Sequence, residues 1–373
     1  MTSRVLIIGG YGNFGAYIAR ALARDAGVRL LIAGRSQAKA AAFIAGLDTA
    51  NPPEAHAIDI GGDPGAALAA AAPDIVIHAV GPFQGQDYRV AEACIAARAH
   101  YFDLADARAF VTGIGALDRR AKQANVAIVA GASSVPCLSA AIVDHYRPSF
   151  ARLDSVDYGI SAAQQTNRGL ATASAILSYI GRPFTTLKHG QWVKVHGWQD
   201  LHAETYPELG RRLFGNCDIP DLDLFPARYP DLKSVRFGAG HEVALLHLGT
   251  WALSGLVRAR LLPPLDRFAE RVLGASALFD RLGTSRSGLH LFLTGADAAG
   301  RAKTIRFFLI ARSGDGPNIP CMPAILLARR LARGEPIAAG ARPCLDLIAL
   351  DDYLEALAGL DVSVIVEQEG DHG

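Results

Sequence analysis

Three glycines, Gly10, Gly12 and Gly15, stand in a G-x-G-x-x-G pattern directly after the apolar run Val5-Leu6-Ile7-Ile8. That spacing suits one task. The first glycine permits a tight turn, the second lets backbone approach a pyrophosphate, and the third lets a helix pack closely on the strand. Phe14, Tyr17, Ile18, Ala21 and Leu22 recur at helical spacing behind the turn. The helix they predict presents free N–H groups and a positive dipole end to phosphate oxygens. A second apolar strand, Arg29 to Ala33, runs into Gly34-Arg35-Ser36. A site built for a ribose 2′-hydroxyl places Asp or Glu about 20 residues after the glycines. This chain has no acid there. It has a guanidinium, whose planar donors match a 2′-phosphate, and a hydroxyl beside it. The pair predicts NADP(H) in preference to NAD(H), with helix capping as the alternative role of Ser36.

A dinucleotide site of this kind serves hydride transfer, which asks the protein for cofactor orientation, a polarised acceptor and a source of protons. Asp103 and Asp106 follow a predicted strand, His100 to Asp103, and are candidates for contact with substrate, with a turn or helix cap as the other reading. Arg168, between a predicted strand and a helix, has the chemistry to clamp a carboxylate. His196, in Lys194-Val-His196-Gly-Trp198, has the chemistry to move a proton. These four are the catalytic candidates. His78 lies within an apolar strand and reads as a satisfied core residue. No Ser/His/Asp or Cys/His set supports nucleophilic catalysis, and no Cys/His spacing suggests a metal.

The bulk of the chain narrows the class. Its 373 residues suffice for two domains, and half are hydrophobic. A formal net charge of +1 offers no field for nucleic acid, and no basic or aromatic stripe appears. The five cysteines are scattered, as expected for a reducing compartment. The chain enters a strand at once, so no signal peptide is expected and the predicted location is cytoplasmic. Val243 to Leu262 is the longest apolar region. Gly249, Gly255, His247, Arg258 and Arg260 interrupt it, so it predicts a buried helix rather than a spanning one, with peripheral membrane contact as the alternative.

Strand and helix signals alternate to about residue 150. Strands are predicted at His56–Ile60, Asp74–Val80 and Val126–Ala130, with helices over Ser36–Leu47, Pro64–Ala72, Tyr88–Arg98 and Gly113–Gln123. Alternation implies a Rossmann-type doubly wound parallel sheet. Beyond Phe150 the rhythm becomes that of an α+β domain with a mostly antiparallel sheet. Its strands are predicted at Ser155–Ala162, Val235–Gly238, Leu289–Gly295 and Thr304–Ala311, with a helix over Gly169–Ile180 and an irregular stretch from Trp192 to Tyr229. The predicted domains are a nucleotide-binding one over 1–150 and a substrate and dimerisation one over 151–373. A helix within 320–334 is expected to pack back on the first.

The motifs Gly10-x-Gly12-x-x-Gly15, Ala33-Gly34-Arg35-Ser36, Val80-Gly81-Pro82-Phe83, Ala93-Cys94-Ile95, His100-Tyr101-x-Asp103 and Ser134-Val135-Pro136 occur in this order over about the first 140 residues. Together with Gly314-Asp-Gly-Pro317-Asn-Ile-Pro320-Cys-Met-Pro323, they resemble the saccharopine dehydrogenase-like NAD(P)-dependent oxidoreductases. The resemblance implies a dinucleotide domain, a mixed-sheet second domain, often a homodimer, and hydride transfer between NADP(H) and a small imine, amino-acid-like or carbonyl substrate. Members of the group also include lipid-facing enoyl reductases, and a non-catalytic NADP(H)-binding regulator is the alternative from another class. Carried over by motif, Gly10, Tyr11, Gly12, Asn13, Phe14 and Gly15 would hold the pyrophosphate and Arg35 and Ser36 the 2′-phosphate. Asp59 and Ile60, ending the third strand, would flank the adenine. Ala79, Val80, Gly81 and Pro82 would run toward the nicotinamide ribose. At Gly131-Ala-Ser-Ser-Val-Pro136 the acid often found in this group is missing, so no role transfers to that loop.

Overall fold

In a computed structural model, which describes residues 2–166 and 169–370, the chain forms two compact units. One unit takes residues 1–138 and 318–348, the other 139–317 and 349–373. The first contains β1 (Ser3–Ile8), α1 (Asn13–Leu22), β2 (Val28–Gly34), α2 (Gln37–Ile44), β3 (Glu54–Ala57), α3 (Pro64–Ala71), β4 (Ile75–His78), α4 (Arg89–Ala97), β5 (His100–Asp103), α5 (Arg108–Gly113), α6 (Asp118–Ala124) and β6 (Ala127–Ala130). Much later in the chain it gains α12 (Met322–Ala332) and β15 (Gly340–Pro343).

All seven strands of this unit run parallel, in the order β15-β6-β5-β4-β1-β2-β3. The strand order reverses at β1, so the crevice between the ends of β1 and β4 is the place where such sheets bind ligands. β1 is central, with Val5 level with Leu30 of β2 and Ile75 of β4. Val5, Leu6, Ile7 and Ile8 are all fully buried, as an unbroken apolar run in a covered parallel strand requires. α12 packs on α1. Its Arg329 joins Asp25 at 2.8 Å and the Ala21 carbonyl at 2.8 Å.

The second unit comprises α7 (Ser139–Tyr146), β7 (Arg152–Ala162), α8 (Leu170–Tyr179), β8 (Pro183–Lys188), β9 (Gln191–His196), β10 (His202–Tyr206), β11 (Gly210–Asn216), α9 (Asp221–Arg228), β12 (Ser234–His241), α10 (Ala244–Arg258), α11 (Ala269–Ser276), β13 (Ser287–Ala296), β14 (Ala302–Ala311), α13 (Leu350–Ala356) and β16 (Val362–Gly370). A seven-stranded sheet runs β10-β11-β12-β7-β13-β14-β16, and only the β12–β7 pair is parallel. β8 and β9 form a separate antiparallel hairpin. The expected doubly wound parallel sheet and mostly antiparallel second sheet are both present.

Four local expectations need correction. The third strand ends at Ala57, so Asp59 and Ile60 lie in the following turn, where the Asp59 carboxylate accepts the Gly61 N–H. Trp192 to Tyr229 is not irregular but contains most of β9, then β10, β11 and all of α9. Its reversals place Trp198, Asp200 and Glu208 at positive φ, at +61°, +61° and +62°. None of these is the glycine or asparagine that marks such a turn in a sequence. The apolar stretch from Val243 becomes α10, of which only His247 and Ser254 are fully buried. It is a surface helix. β15 and β16 close the two sheets without having been anticipated, because the short Gly340–Pro343 run carries no alternation of its own.

Leu327 of α12 is fully buried in the first unit. Its replacement by Ala should cost about 2–5 kcal/mol. The expected readout is faster amide exchange across β1, β2 and β4, strands that lie 249 to 324 residues earlier in the sequence than Leu327. Unchanged protection there would separate α12 from this core.

Candidate functional site: the carboxyl edge of the parallel sheet

The turn after β1 is held by backbone. The N–H groups of Gly9 and Gly10 both donate to the Ala33 carbonyl, at 2.8 and 3.1 Å, and Gly12 N–H donates to the Gly9 carbonyl at 2.8 Å. Gly9 has φ of +83°, a conformation that glycine adopts without strain. A Cβ at Gly15 would fall 2.2 Å from the Gly9 oxygen, so only glycine lets α1 come this close to the turn. Gly12 caps α1 without a side chain, and no acidic residue occupies the first turn. The helix therefore opens on a bare glycine turn with no acidic side chain of its own first turn to compete for an anion. This cradle fits a pyrophosphate.

At the end of β2, the Tyr11 ring covers Gly34, where an added Cβ would meet the phenol oxygen at 2.5 Å. The Tyr11 hydroxyl accepts the Ser36 N–H at 3.2 Å. Ser36 caps α2 by accepting the Lys39 N–H at 3.3 Å. The capping role of Ser36 is thus present in the fold. Arg35 is exposed, with no hydrogen bond or ion pair among the described residues. Asp59 and Ile60 follow β3, and Ala79, Val80, Gly81 and Pro82 follow β4. Gln86 pins that last loop by donating to the carbonyls of Val80 and Pro82, both at 2.8 Å. Val80 reaches the turn itself, since a Cβ on Gly9 would lie 2.7 Å from its methyl. All the residues named for the cofactor therefore sit at the carboxyl ends of β1 to β4 or at the start of α1.

Asp103 ends β5 and is fully buried. One carboxylate oxygen accepts the N–H groups of Ala105 at 3.0 Å and Gly131 at 2.7 Å. It ties the end of β5 to the loop after β6. The other oxygen has no hydrogen-bond partner among the described residues. Burial pushes this carboxyl up to about 6, against the pull of the two N–H donors. Asp106 is partly covered and receives the Gln84 amide at 3.2 Å, and burial raises its pKa as well. His78 is buried, pairs with the Tyr101 hydroxyl at 3.1 Å, and is pushed down to about 3 by burial. It stays neutral, as a core histidine does.

The second unit contributes different chemistry. His196 ends β9, half-buried, and its pKa is lowered first by burial and then by the charges of Arg258 and Lys194. It is predominantly neutral at neutral pH. Arg168 lies outside the described residues. A cavity of about 80 Å³ opens among α8, α10 and α11, walled by Ile176, Leu177, Leu246 and Val272 with His241 and Thr250 as polar members. His241 stacks on buried Trp198 at 4.8 Å and faces the Thr250 hydroxyl at 3.2 Å. Nothing in the local sequence marks His241, because Trp198 and Thr250 reach it only through the fold. A second buried knot lies apart from this cavity. Asp221 accepts hydroxyls from Ser139 at 2.5 Å and Tyr158 at 2.6 Å, and burial raises it to about 7. Among the described residues, no group of His, Cys, Asp or Glu is arranged to hold a metal ion.

Comparison with known proteins agrees with this architecture. Residues 5–129 match the family described as the saccharopine dehydrogenase NADP binding domain. No curated protein matches the chain in sequence. Among solved structures, apo histidine-tagged saccharopine dehydrogenase (L-Glu forming) from Saccharomyces cerevisiae shares the fold. Its TM-score is 0.66 at 14% identity, over 98% of this chain and 100% of that one. Amine dehydrogenase from Mycobacterium smegmatis is a more distant match, with a TM-score of 0.46 at 12% identity over 94% and 96%. GenD2 from gentamicin A biosynthesis, in complex with NAD, has a TM-score of 0.45 at 12% identity over 100% and 97%. The family match and the yeast structure bear out the saccharopine dehydrogenase-like resemblance.

The buried Asp103 has a measurable signature. Its folded pKa, about 6, lies above the ordinary aspartate value of 3.8, so the native state binds this proton more tightly than the unfolded chain. The stabilisation is complete below the unfolded pKa and is lost as pH rises through about 6, a fall of ~3 kcal/mol. Asp103→Asn keeps an acceptor for both N–H groups and removes the titration. The difference between variant and wild-type unfolding free energies should therefore change between pH 4 and 6. A pH-independent difference in urea titrations would contradict this account.

Proposed function

We propose that this chain is an NADP(H)-dependent oxidoreductase that transfers a hydride to or from a small imine, amino-acid-like or carbonyl substrate. The observation that carries the reading is the pairing of an open α1 N-terminus behind a glycine turn with an exposed, unpaired Arg35 at the end of β2. The first suits a pyrophosphate. The second suits a 2′-phosphate, with which a guanidinium forms charge-assisted hydrogen bonds. The match to a family described by NADP binding supports the same choice. Bound there, the nicotinamide would supply the hydride chemistry.

The chain's own residues do the rest. Gly10, Gly12 and Gly15 shape the backbone, and the N–H groups at Asn13 and Phe14 hold phosphate oxygens. Tyr11 fixes the position of the Ser36 N–H, and the Ala79–Pro82 loop, pinned by Gln86, borders the crevice. Asp103 acts as a positioning residue through the Gly131 loop. Asp106, partly covered and raised in pKa, is the better group for holding a proton near substrate. Arg168 and His196 are proposed as further contributors from the second unit, the first for a substrate carboxylate. At neutral pH His196 is held mainly as the neutral imidazole, the form that takes up a proton rather than the imidazolium that gives one.

Calorimetry with NADPH and NADH should show NADPH bound at least about tenfold more tightly, the equivalent of ~1.4 kcal/mol. Arg35→Asp should abolish or invert that preference. Equal affinities in the wild type, or an unchanged preference in the variant, would defeat the assignment. Asp106→Asn should retain NADPH affinity within about twofold. It should also slow NADPH oxidation against a panel of carbonyl and amine mixtures by about 10²-fold or more.

A further inference from the structure

α10 is built inside out. At 100° per residue, Ala244, Leu245, Leu248, Gly249, Trp251, Ala252, Leu253 and Leu256 share a broad outer arc, and the sequence puts no polar side chain on it before Arg258. These residues are exposed, Leu245 by 64% and Leu256 by 41%. The polar residues face inward. Ser254 donates to the Gly197 carbonyl at 2.6 Å and receives the Gln199 amide at 3.0 Å. Thr250 faces His241 at 3.2 Å, and buried His247 receives the His241 N–H at 3.4 Å. A helix that spends its hydroxyls on the protein and turns leucines outward is oriented toward an apolar surrounding. Leu261, just past its end, is 71% exposed.

The exposed charges next to this face are mostly basic. No acidic residue occurs between Asp157 and Asp200, nor between Glu242 and Asp266. Within those stretches Arg182, Lys188, Lys194, Arg258 and Arg260 are all exposed. Arg182 faces Asp266 at 3.6 Å, and the others have no acidic partner among the described residues. The chain segments that flank the hairpin meet the helix. An added Cβ on Gly181 would touch Ser254 and Arg258, and Gln199 donates to the Trp251 carbonyl at 3.0 Å. Strand alternation puts Trp192, Lys194 and His196 on one face of β9, and Trp192 is 52% exposed.

We infer that the outer face of α10, with the basic face of the β8–β9 hairpin beside it, docks this protein in the plane of an anionic phospholipid surface. Leucines and an indole enter the headgroup and acyl boundary, and arginine and lysine meet lipid phosphates. Exposed tryptophans suit that boundary because their rings are apolar with one polar N–H. At 15 residues α10 is too short to cross a bilayer, and among the described residues no helix is long and apolar enough to do so. A second copy of the chain is a poorer occupant. A two-fold contact sets the same patch against itself, and here that brings together rims that are mostly basic, with Asp266 already facing Arg182. The inference stands apart from the proposed hydride transfer, since docking needs no bound cofactor.

Co-sedimentation of the full chain tests it. Vesicles of equimolar phosphatidylglycerol and phosphatidylcholine should pellet the protein at low salt, at least about tenfold more strongly than phosphatidylcholine alone. The difference should shrink as salt rises. Tryptophan emission should shift to the blue, since Trp192 and Trp251 are exposed while Trp198 is already buried. Leu248→Ser, Trp251→Ser and Leu256→Ser together should weaken pelleting by about tenfold or more. Replacing Lys194, Arg258 and Arg260 by Gln should remove the preference for anionic vesicles. Circular dichroism of each variant checks that it is folded. The inference fails if the wild type stays in the supernatant with anionic vesicles, or if the folded serine variant pellets as the wild type does. It fails equally if light scattering shows a dimer that the serine variant splits while vesicle binding is absent, which would assign the face to a second copy.

Discussion

The contact on which the nucleotide-binding unit turns is the approach of α1 to the Gly9 carbonyl. At Gly15 even one added carbon would stand 2.2 Å from that oxygen. The closeness lets a helix start directly above the end of a central, fully buried strand. It sets the N-terminal end of that helix beside the crevice next to β4. Everything else at that edge is arranged around it. Val80 presses on Gly9, Tyr11 folds over Gly34, and Gln86 fixes the loop that follows β4. A larger residue at any of these glycines would move the helix, and the anion site would move with it.

Buried carboxylates form a second theme. Asp103 and Asp221 each lie fully buried, each uses one oxygen to gather two donors, and each leaves the other oxygen without a hydrogen-bond partner among the described residues. Asp103 gathers backbone N–H groups and so fixes two loop ends. Asp221 gathers hydroxyls from Ser139 and Tyr158, and so links the start of α7 to β7. Desolvation opposes the charged form in both. Such groups cost stability near neutral pH and yield a fixed arrangement of the elements they join. That is a positioning role, and it distinguishes Asp103 from Asp106, whose environment leaves it partly accessible.

α10 reverses the usual amphipathic logic. Its sequence was apolar enough to suggest burial, and the expectation of a buried helix follows from counting hydrophobic residues. The fold decides otherwise because the inward positions carry His247, Thr250 and Ser254, which find partners in Gly197, Gln199 and His241. Those partners come from sequence positions up to 57 residues distant. Hydropathy alone cannot distinguish which side of such a helix meets the protein.

The sequence by itself determined the strand–turn–helix opening, the parallel doubly wound sheet, the mostly antiparallel second sheet and the placement of Arg35 and Ser36. These follow from patterns within a few residues, where glycine spacing and apolar runs act through local backbone geometry. The tertiary structure alone decided the rest. It carried β15 into the first unit beside the expected α12, made Asp103 a clamp on Gly131, and brought Trp198, His241 and Thr250 together at one cavity. It also placed the turns at Trp198 and Glu208 on residues without a turn signature, and exposed the leucines of α10. Each of those outcomes depends on contacts between residues distant in sequence, formed only when the burial of one surface leaves another without cover.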